Sequence, residues 1–134
     1  MVDIAVVTLD APASGVVLVQ FTGQAAFEGL TTRNGIAFQI DTTAGGGTIE
    51  DEYYNISQST PPNTNRQWYP VATQRAFEVA AGTHTYRLEA QIVGSDTGYR
   101  YFWNPSITAT WYPADSVALS SAISTSSFGG DNLR

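Results

Sequence analysis

The chain reads as an all-β protein, a jelly-roll β-sandwich of two antiparallel sheets with about eight to ten strands. Three observations predict it. Residues 73–91 alternate with period two: Thr73, Arg75, Phe77 and Val79 share one parity, and His84, Tyr86, Leu88, Ala90 and Ile92 share another. Polar Thr85, Arg87, Glu89 and Gln91 sit between the latter, the mark of a strand with one face in a core. No segment carries the 3.6-residue period of a helix. Turn signals recur at short, near-regular intervals, the spacing of a sandwich or jelly roll.

The strands follow in order. Residues 3–9 form the first, ended by Asp10-Ala11-Pro12-Ala13-Ser14-Gly15, a run rich in turn formers. Residues 16–21 follow and are apolar on both parities. Gly23 is placed to extend this strand through a bulge toward Phe27. Residues 36–40 alternate cleanly, with Ile36, Phe38 and Ile40 against Ala37 and Gln39. Thr42-Thr43-Ala44-Gly45-Gly46-Gly47 is a loop, with no Lys-Ser/Thr and no helix after it to make a phosphate cradle. Residues 52–57 are a short strand, and the Pro61-Pro62-Asn63 region is a loop. Residues 67–79 form a long strand, expected to bend at Pro70 because proline cannot donate to a ladder. A tight turn at Ala80-Ala81-Gly82 then joins residues 73–79 to 84–93 as a hairpin. Residues 99–103 are an aromatic strand, Asn104-Pro105 breaks it, and residues 107–112 are the last strand.

Residues 1–113 make one domain by length, and 114–134 differ in kind: Ser-rich, with apolar Val117, Leu119, Ile123 and Phe128. This segment reads as a tail, or as an arm that docks on a neighbouring subunit.

Composition narrows the function. Cysteine is absent, which excludes disulfides, thiolate metal sites and cysteine nucleophiles. The net charge is −6 and all six basic residues are scattered arginines. That is a poor match to a phosphate backbone or to a polybasic membrane contact. No apolar run approaches a membrane span. Met1-Val2-Asp3-Ile4 has no basic stretch of the signal-peptide kind, so no leader is visible in this chain. Charged residues are only 13% of the chain, so its exposed sheet edges carry little protection, and burial in an oligomer is one remedy.

Two stretches are specific enough to support a likeness: Ala81-Gly82-Thr83-His84-Thr85-Tyr86-Arg87-Leu88-Glu89-Ala90, and Asn104-Pro105-Ser106-Ile107-Thr108-Ala109-Thr110-Trp111-Tyr112-Pro113. In this order, with an aromatic strand between them, they resemble the C-terminal half of a C1q/TNF-like jelly roll, nearest to bacterial and phage versions. Residues 12–19 are compatible with it. The resemblance implies a compact ten-stranded jelly roll assembled as a homotrimer about a threefold axis. The Ser-rich segment after Pro113 and the lack of a collagen-like stalk depart from the pattern.

Strands apolar on both faces are the candidate oligomer seam. Val17, Val19 and Phe21 on one, and Tyr99, Tyr101 and Trp103 on the other, are the residues expected there. Trp68 and Tyr69, with Tyr99, Tyr101 and Trp103, are a candidate glycan platform, with Asn65, Arg66 and Gln67 as polar partners.

No catalytic residues, metal site or cofactor are assigned. His84 is the only histidine, no Gly-x-Ser-x-Gly elbow accompanies it, and it sits on a core-facing parity beside a turn. A structural role, such as a hydrogen bond near that turn, is the expectation. Glu50-Asp51-Glu52 is the densest acidic cluster, but neighbouring strand residues face opposite ways, and a solvated strand end fits better than Ca²⁺ ligation.

The sequence therefore predicts a non-enzymatic structural or interaction protein. The concrete form is a trimeric virion component, such as a phage capsid decoration (cement) protein or a fibre-head domain. A capsid or other structural protein would be contacted through residues 114–134, and neither nucleic acid nor membrane insertion is expected. The competing expectation is an extracellular module that binds glycan or protein through exposed aromatics.

Overall fold

The computed structural model describes residues 2–28, 34–42, 54–58, 66–93 and 99–115. Seven strands lie in this part: β1 (Val2–Ala11), β2 (Gly15–Glu28), β3 (Asn34–Asp41), β4 (Tyr54–Gln58), β5 (Gln67–Val79), β6 (Gly82–Val93) and β7 (Tyr99–Pro113). They form two antiparallel sheets, β1-β6-β3-β4 and β5-β2-β7, packed as a β-sandwich.

The pairing is nested. β1 pairs with β6, β2 with β5 and β3 with β4, so the chain is laid out as one long antiparallel ribbon. The ribbon crosses from one sheet to the other at β1–β2, β2–β3, β4–β5 and β5–β6. Only β3–β4 joins sequential strands within one sheet. β7 then adds to the free side of β2.

This overturns the expected hairpin over residues 73–91. β5 and β6 lie in different sheets, and Ala80-Ala81 carries the chain across the sandwich. The alternation is real on both strands, but it marks two inner faces that meet in the core rather than two paired edges. Gly82 opens β6 with φ at +134°, a backbone state that favours glycine.

The core lies between the sheets. Val17, Val19, Phe21 and Ala25 of β2 meet Ile36, Phe38 and Ile40 of β3 and Tyr86, Leu88 and Ala90 of β6. Val71 of β5 joins them, and Phe102, Ile107 and Trp111 of β7 pack on the margin. Phe38 and Phe102 touch edge to face at 5.6 Å across the two layers. Each fully buried side chain of this size contributes about 1.5–3 kcal/mol. Arg75 points inward from β5 and donates to the Ile40 carbonyl at 3.0 Å, tying the two sheets together. Trp111 Nε1 donates to the Ala13 carbonyl at 3.2 Å and anchors the β1–β2 connection.

β7 is continuous where a break at Asn104-Pro105 was expected, which is why the described strands number seven. Thr22 pairs with Ser106, yet Gln24 pairs with Trp103, so β7 holds one extra residue opposite Gly23. That residue is a β-bulge, and Asn104 takes φ at +47° to form it. A Cβ on Gly23 would sit 2.9 Å from the Phe21 ring and 3.4 Å from Pro105 Cα, so the close approach needs a glycine. Pro70 does not end β5 either. It pairs with Gln24 on a strand at the sheet edge, where a missing N–H is tolerated.

Candidate functional site: an aromatic and cationic patch on a sheet face

The two outer faces differ in chemistry. On β1-β6-β3-β4 the outward positions include Asp3, Asp10, Arg87 and Glu89. Arg87 bonds Asp3 at 2.8 Å, and Thr83 donates to Asp10. On β5-β2-β7 the outward residues run Pro70, Ala72, Gln74 and Ala76 on β5, then Val16, Leu18, Gln20, Thr22 and Gln24 on β2. Ser106, Thr108, Thr110 and Tyr112 continue the face on β7. None of these is charged, but the next outward residue of β5, Glu78 opposite Val16, is exposed and charged. Gln20 and Gln74 bond across the ladder at 3.4 Å.

One end of this face carries an aromatic cluster. Ala26 is its floor, flanked by Trp68 on β5 and Tyr101 on β7. Trp103, one row along, meets Trp68 at 6.3 Å with the rings at 69°. Both indoles remain open, Trp68 at 41% and Trp103 at 58% exposure. The Arg66 guanidinium lies 3.9 Å from the Tyr101 ring centre and 5.8 Å from that of Trp68. Its Nε and Nη2 both reach Glu28 Oε2, at 2.8 and 2.7 Å. The bonds from Arg66, and one from the Tyr101 hydroxyl, hold the Glu28 carboxyl below its ordinary range. The bond to Glu28 in turn raises Arg66. The result is a fixed planar cation on an aromatic bed beside two exposed indoles. Trp, Tyr and Arg are the residue types that dominate binding hot spots.

The expected site residues fall out as follows. Val17, Val19 and Phe21 are core residues of the protomer, at 0%, 0% and 2% exposure, and offer nothing to a second subunit. Their neighbours Val16 and Leu18 carry the outward face of β2, half-buried. Tyr101 and Trp103 are outward. The Tyr99 side chain lies outside the described residues. Trp68 is exposed, but Tyr69 has the opposite parity and packs against the core, so the two do not form a platform together. Trp103 takes the place beside Trp68. Glu28 had no signal in the sequence, since its partner Arg66 is 38 positions away.

His84 is accounted for by structure. Its Nε2 bonds the Ala80 carbonyl at 2.9 Å and its ring lies over Tyr86 at 6.5 Å, bracing the crossing between sheets. Glu50, Asp51 and Glu52, Asn65, and residues 116–134 lie outside the described residues. Among the described residues no group of three or more His or acidic side chains could hold a metal ion, and no helix is long and apolar enough to cross a membrane.

No protein-family model matches the chain, and no curated protein matches it.

Proposed function

We propose that this protein is a non-enzymatic structural or interaction protein built on a C1q/TNF-like jelly roll, and that it assembles as a homotrimer. Its setting would be the virion, as a capsid decoration or fibre-head component, with residues 114–134 available to a capsid or other structural protein. The nested pairing supports the jelly-roll reading, because that fold is a long antiparallel ribbon rolled into two sheets. The stretches that carry the resemblance, residues 81–90 and 104–113, fall mostly on β6 and on β7.

The observation that carries assembly is the outer face of β5-β2-β7. From Leu18 to Gln24 and across to Pro70–Ala76 and Ser106–Thr110 its outward positions hold no charge, in a chain of net charge −6, with Glu78 opposite Val16 at one end and Arg66 and Glu28 at the other. Charge depletion around aromatic anchors is the compositional signature of an interface core. Trp68, Trp103 and Tyr112 would supply the anchors. A standard interface buries about 800 Å² per partner.

Light scattering tests the reading. Wild type is expected at three times 14.4 kDa at micromolar concentration. The double variant Gln20→Arg/Thr108→Arg, placed mid-face where neither side chain reaches the core, is expected to run as a monomer with its β-sheet circular dichroism retained. A wild-type monomer throughout that range would end the trimer proposal.

A second reading is favoured by the exposed indoles themselves: recognition of a glycan, with a sugar ring stacked on Trp103 or Trp68 and hydroxyls met by Arg66 and Glu28. A glycan array with wild type and Trp103→Ala separates the two. Binding that the variant loses supports recognition, and an array without binders leaves assembly as the function.

A further inference from the structure

The outward residues of β5, β2 and β7 form a grid at the end of the face where Arg66 lies. Ala26 stands between Trp68 and Tyr101, and Gln24 stands between Pro70 and Trp103. Ala26 is fully buried and offers a bare methyl group, so the two indoles lean in over it until their centres are 6.3 Å apart. Their planes cross at 69°, one a floor and the other a wall. Both stay open to solvent, Trp103 more than Trp68. Single exposed apolar residues need no explanation, whereas a contiguous aromatic patch marks a binding surface.

The rim of this corner is polar and electrically balanced. Glu28 Oε2 accepts from Arg66 Nε and Nη2 at 2.8 and 2.7 Å, so a cation and an anion lie side by side and cancel. A guanidinium carries five N–H donors, and Glu28 takes one from each of these two nitrogens. Gln24, exposed beside Trp103, adds an amide that both donates and accepts. Pro70, Ala72 and Thr22, the next outward residues, are uncharged. This chemistry discriminates among ligands. An acidic ligand would meet Glu28 and a chain of net charge −6, with Arg66 already paired. A proline-rich peptide would stack on the indoles but its rings bring no N–H to a carboxylate. A pyranose has an apolar C–H face for an aromatic plane and a rim of hydroxyls that each donate and accept. A packed, flat polysaccharide surface would need coplanar rings, and these cross at 69°.

We propose that the Trp68–Trp103 corner binds one pyranose ring of a soluble, uncharged oligosaccharide, with the ring stacked on Trp103, its edge against Trp68 and its hydroxyls met by Arg66 and Gln24. The inference rests on the recognition reading of this patch and goes beyond it by fixing the charge and the form of the ligand. Glu28 is a positioning residue here. It holds the guanidinium over Tyr101, 3.9 Å from the ring centre, and cancels its charge. In Glu28→Gln the cation is no longer cancelled, so a sugar that carries a carboxylate becomes acceptable.

Isothermal titration calorimetry on the full chain tests it. The probes are neutral hexasaccharides of glucose, xylose, mannose and N-acetylglucosamine, with hexagalacturonate as the acidic sugar and decaproline as the peptide. At least one neutral sugar should bind, with an affinity that changes less than about twofold between roughly 0.05 M and 0.5 M salt. Trp103→Ala should weaken that binding roughly tenfold or more, and Trp103→Phe far less. Trp103 is mostly exposed, so both variants are expected to fold, and circular dichroism checks this. Hexagalacturonate should bind Glu28→Gln and not the wild type; a variant that gains no acidic sugar overturns the positioning role. Wild-type preference for hexagalacturonate, weakened by salt, overturns the inference and leaves the recognition reading standing. Neutral binding that Trp103→Ala leaves unchanged overturns it by placing the sugar elsewhere. Binding of none of the sugars at millimolar concentration overturns both, and binding of decaproline in their place assigns the corner to a peptide.

Discussion

Glu89 is the residue whose environment departs furthest from its sequence expectation. Its parity puts it on the polar side of β6, yet it is fully buried. The Gln39 amide, itself buried, donates to Glu89 Oε2 at 3.2 Å, while Oε1 has no partner among the described residues. Burial raises the carboxyl above its usual range, and the neighbouring carboxylates of Asp41 and Asp3 push the same way. The folded state therefore holds a proton there more tightly than the unfolded chain does. The associated stability is complete below the unfolded value of about 4.5 and is lost as pH rises through the higher folded value. Melting temperature followed from pH 4 to pH 8 should fall for this reason. Glu89→Gln should flatten that fall and raise the melting temperature at the alkaline end; an equal slope in both proteins would show the carboxyl to be ionised throughout. Alternation alone could not have found this, because period two reports which face a residue takes and not what covers that face. Tyr69 shows the converse limit: being adjacent to Trp68 in sequence puts it on the opposite side of β5.

At the scale of the element, strand positions were legible and strand partners were not. The turn formers at Pro12–Ser14 and Ala80–Gly82 delimit real strands, and the alternation of residues 36–40 and 84–90 predicts their inward sets. A tight turn between two alternating strands nevertheless has two solutions, a hairpin in one sheet or an arch between two. The local pattern is the same for both. The arch wins here because Phe77 and Tyr86, 4.9 Å apart, face one another across the core rather than side by side on one face. A direct consequence concerns the isolated peptide of residues 73–91. A hairpin would retain some cross-strand order in water, whereas an arch has no ladder of its own. Nuclear magnetic resonance of that peptide should give no cross-strand backbone contacts between the two halves.

Over the whole molecule, every ladder except β3–β4 joins strands distant in sequence, such as Val2 with Ala90 and Gly15 with Pro113. The nested order is what distinguishes this sandwich from others of the same strand count. No periodicity encodes it. The aromatic patch follows the same rule. Arg66, Trp68, Tyr101, Trp103 and Glu28 come from three separate stretches, and the pairing of β5 and β7 on either side of β2 collects them.

The bulge at Asn104-Pro105 gives β7 a reading frame. Before it, Phe102 faces inward and Trp103 outward; after it, Ile107, Ala109 and Trp111 face inward. The interval from Phe102 to Ile107 is odd, so the strand changes phase once along its length. Removing two residues there would leave an interval of three and force a choice between two half-strands: either Trp103 turns into the core, or Ile107, Ala109 and Trp111 turn out into solvent. Removing one would leave four, the even spacing of a regular strand, with Phe102 and Ile107 both still inward. Deletion of Asn104 and Pro105 together should therefore prevent folding or lower the melting temperature far more than deletion of Pro105 alone, as thermal denaturation would measure. At this one position, length is a stronger constraint than residue identity.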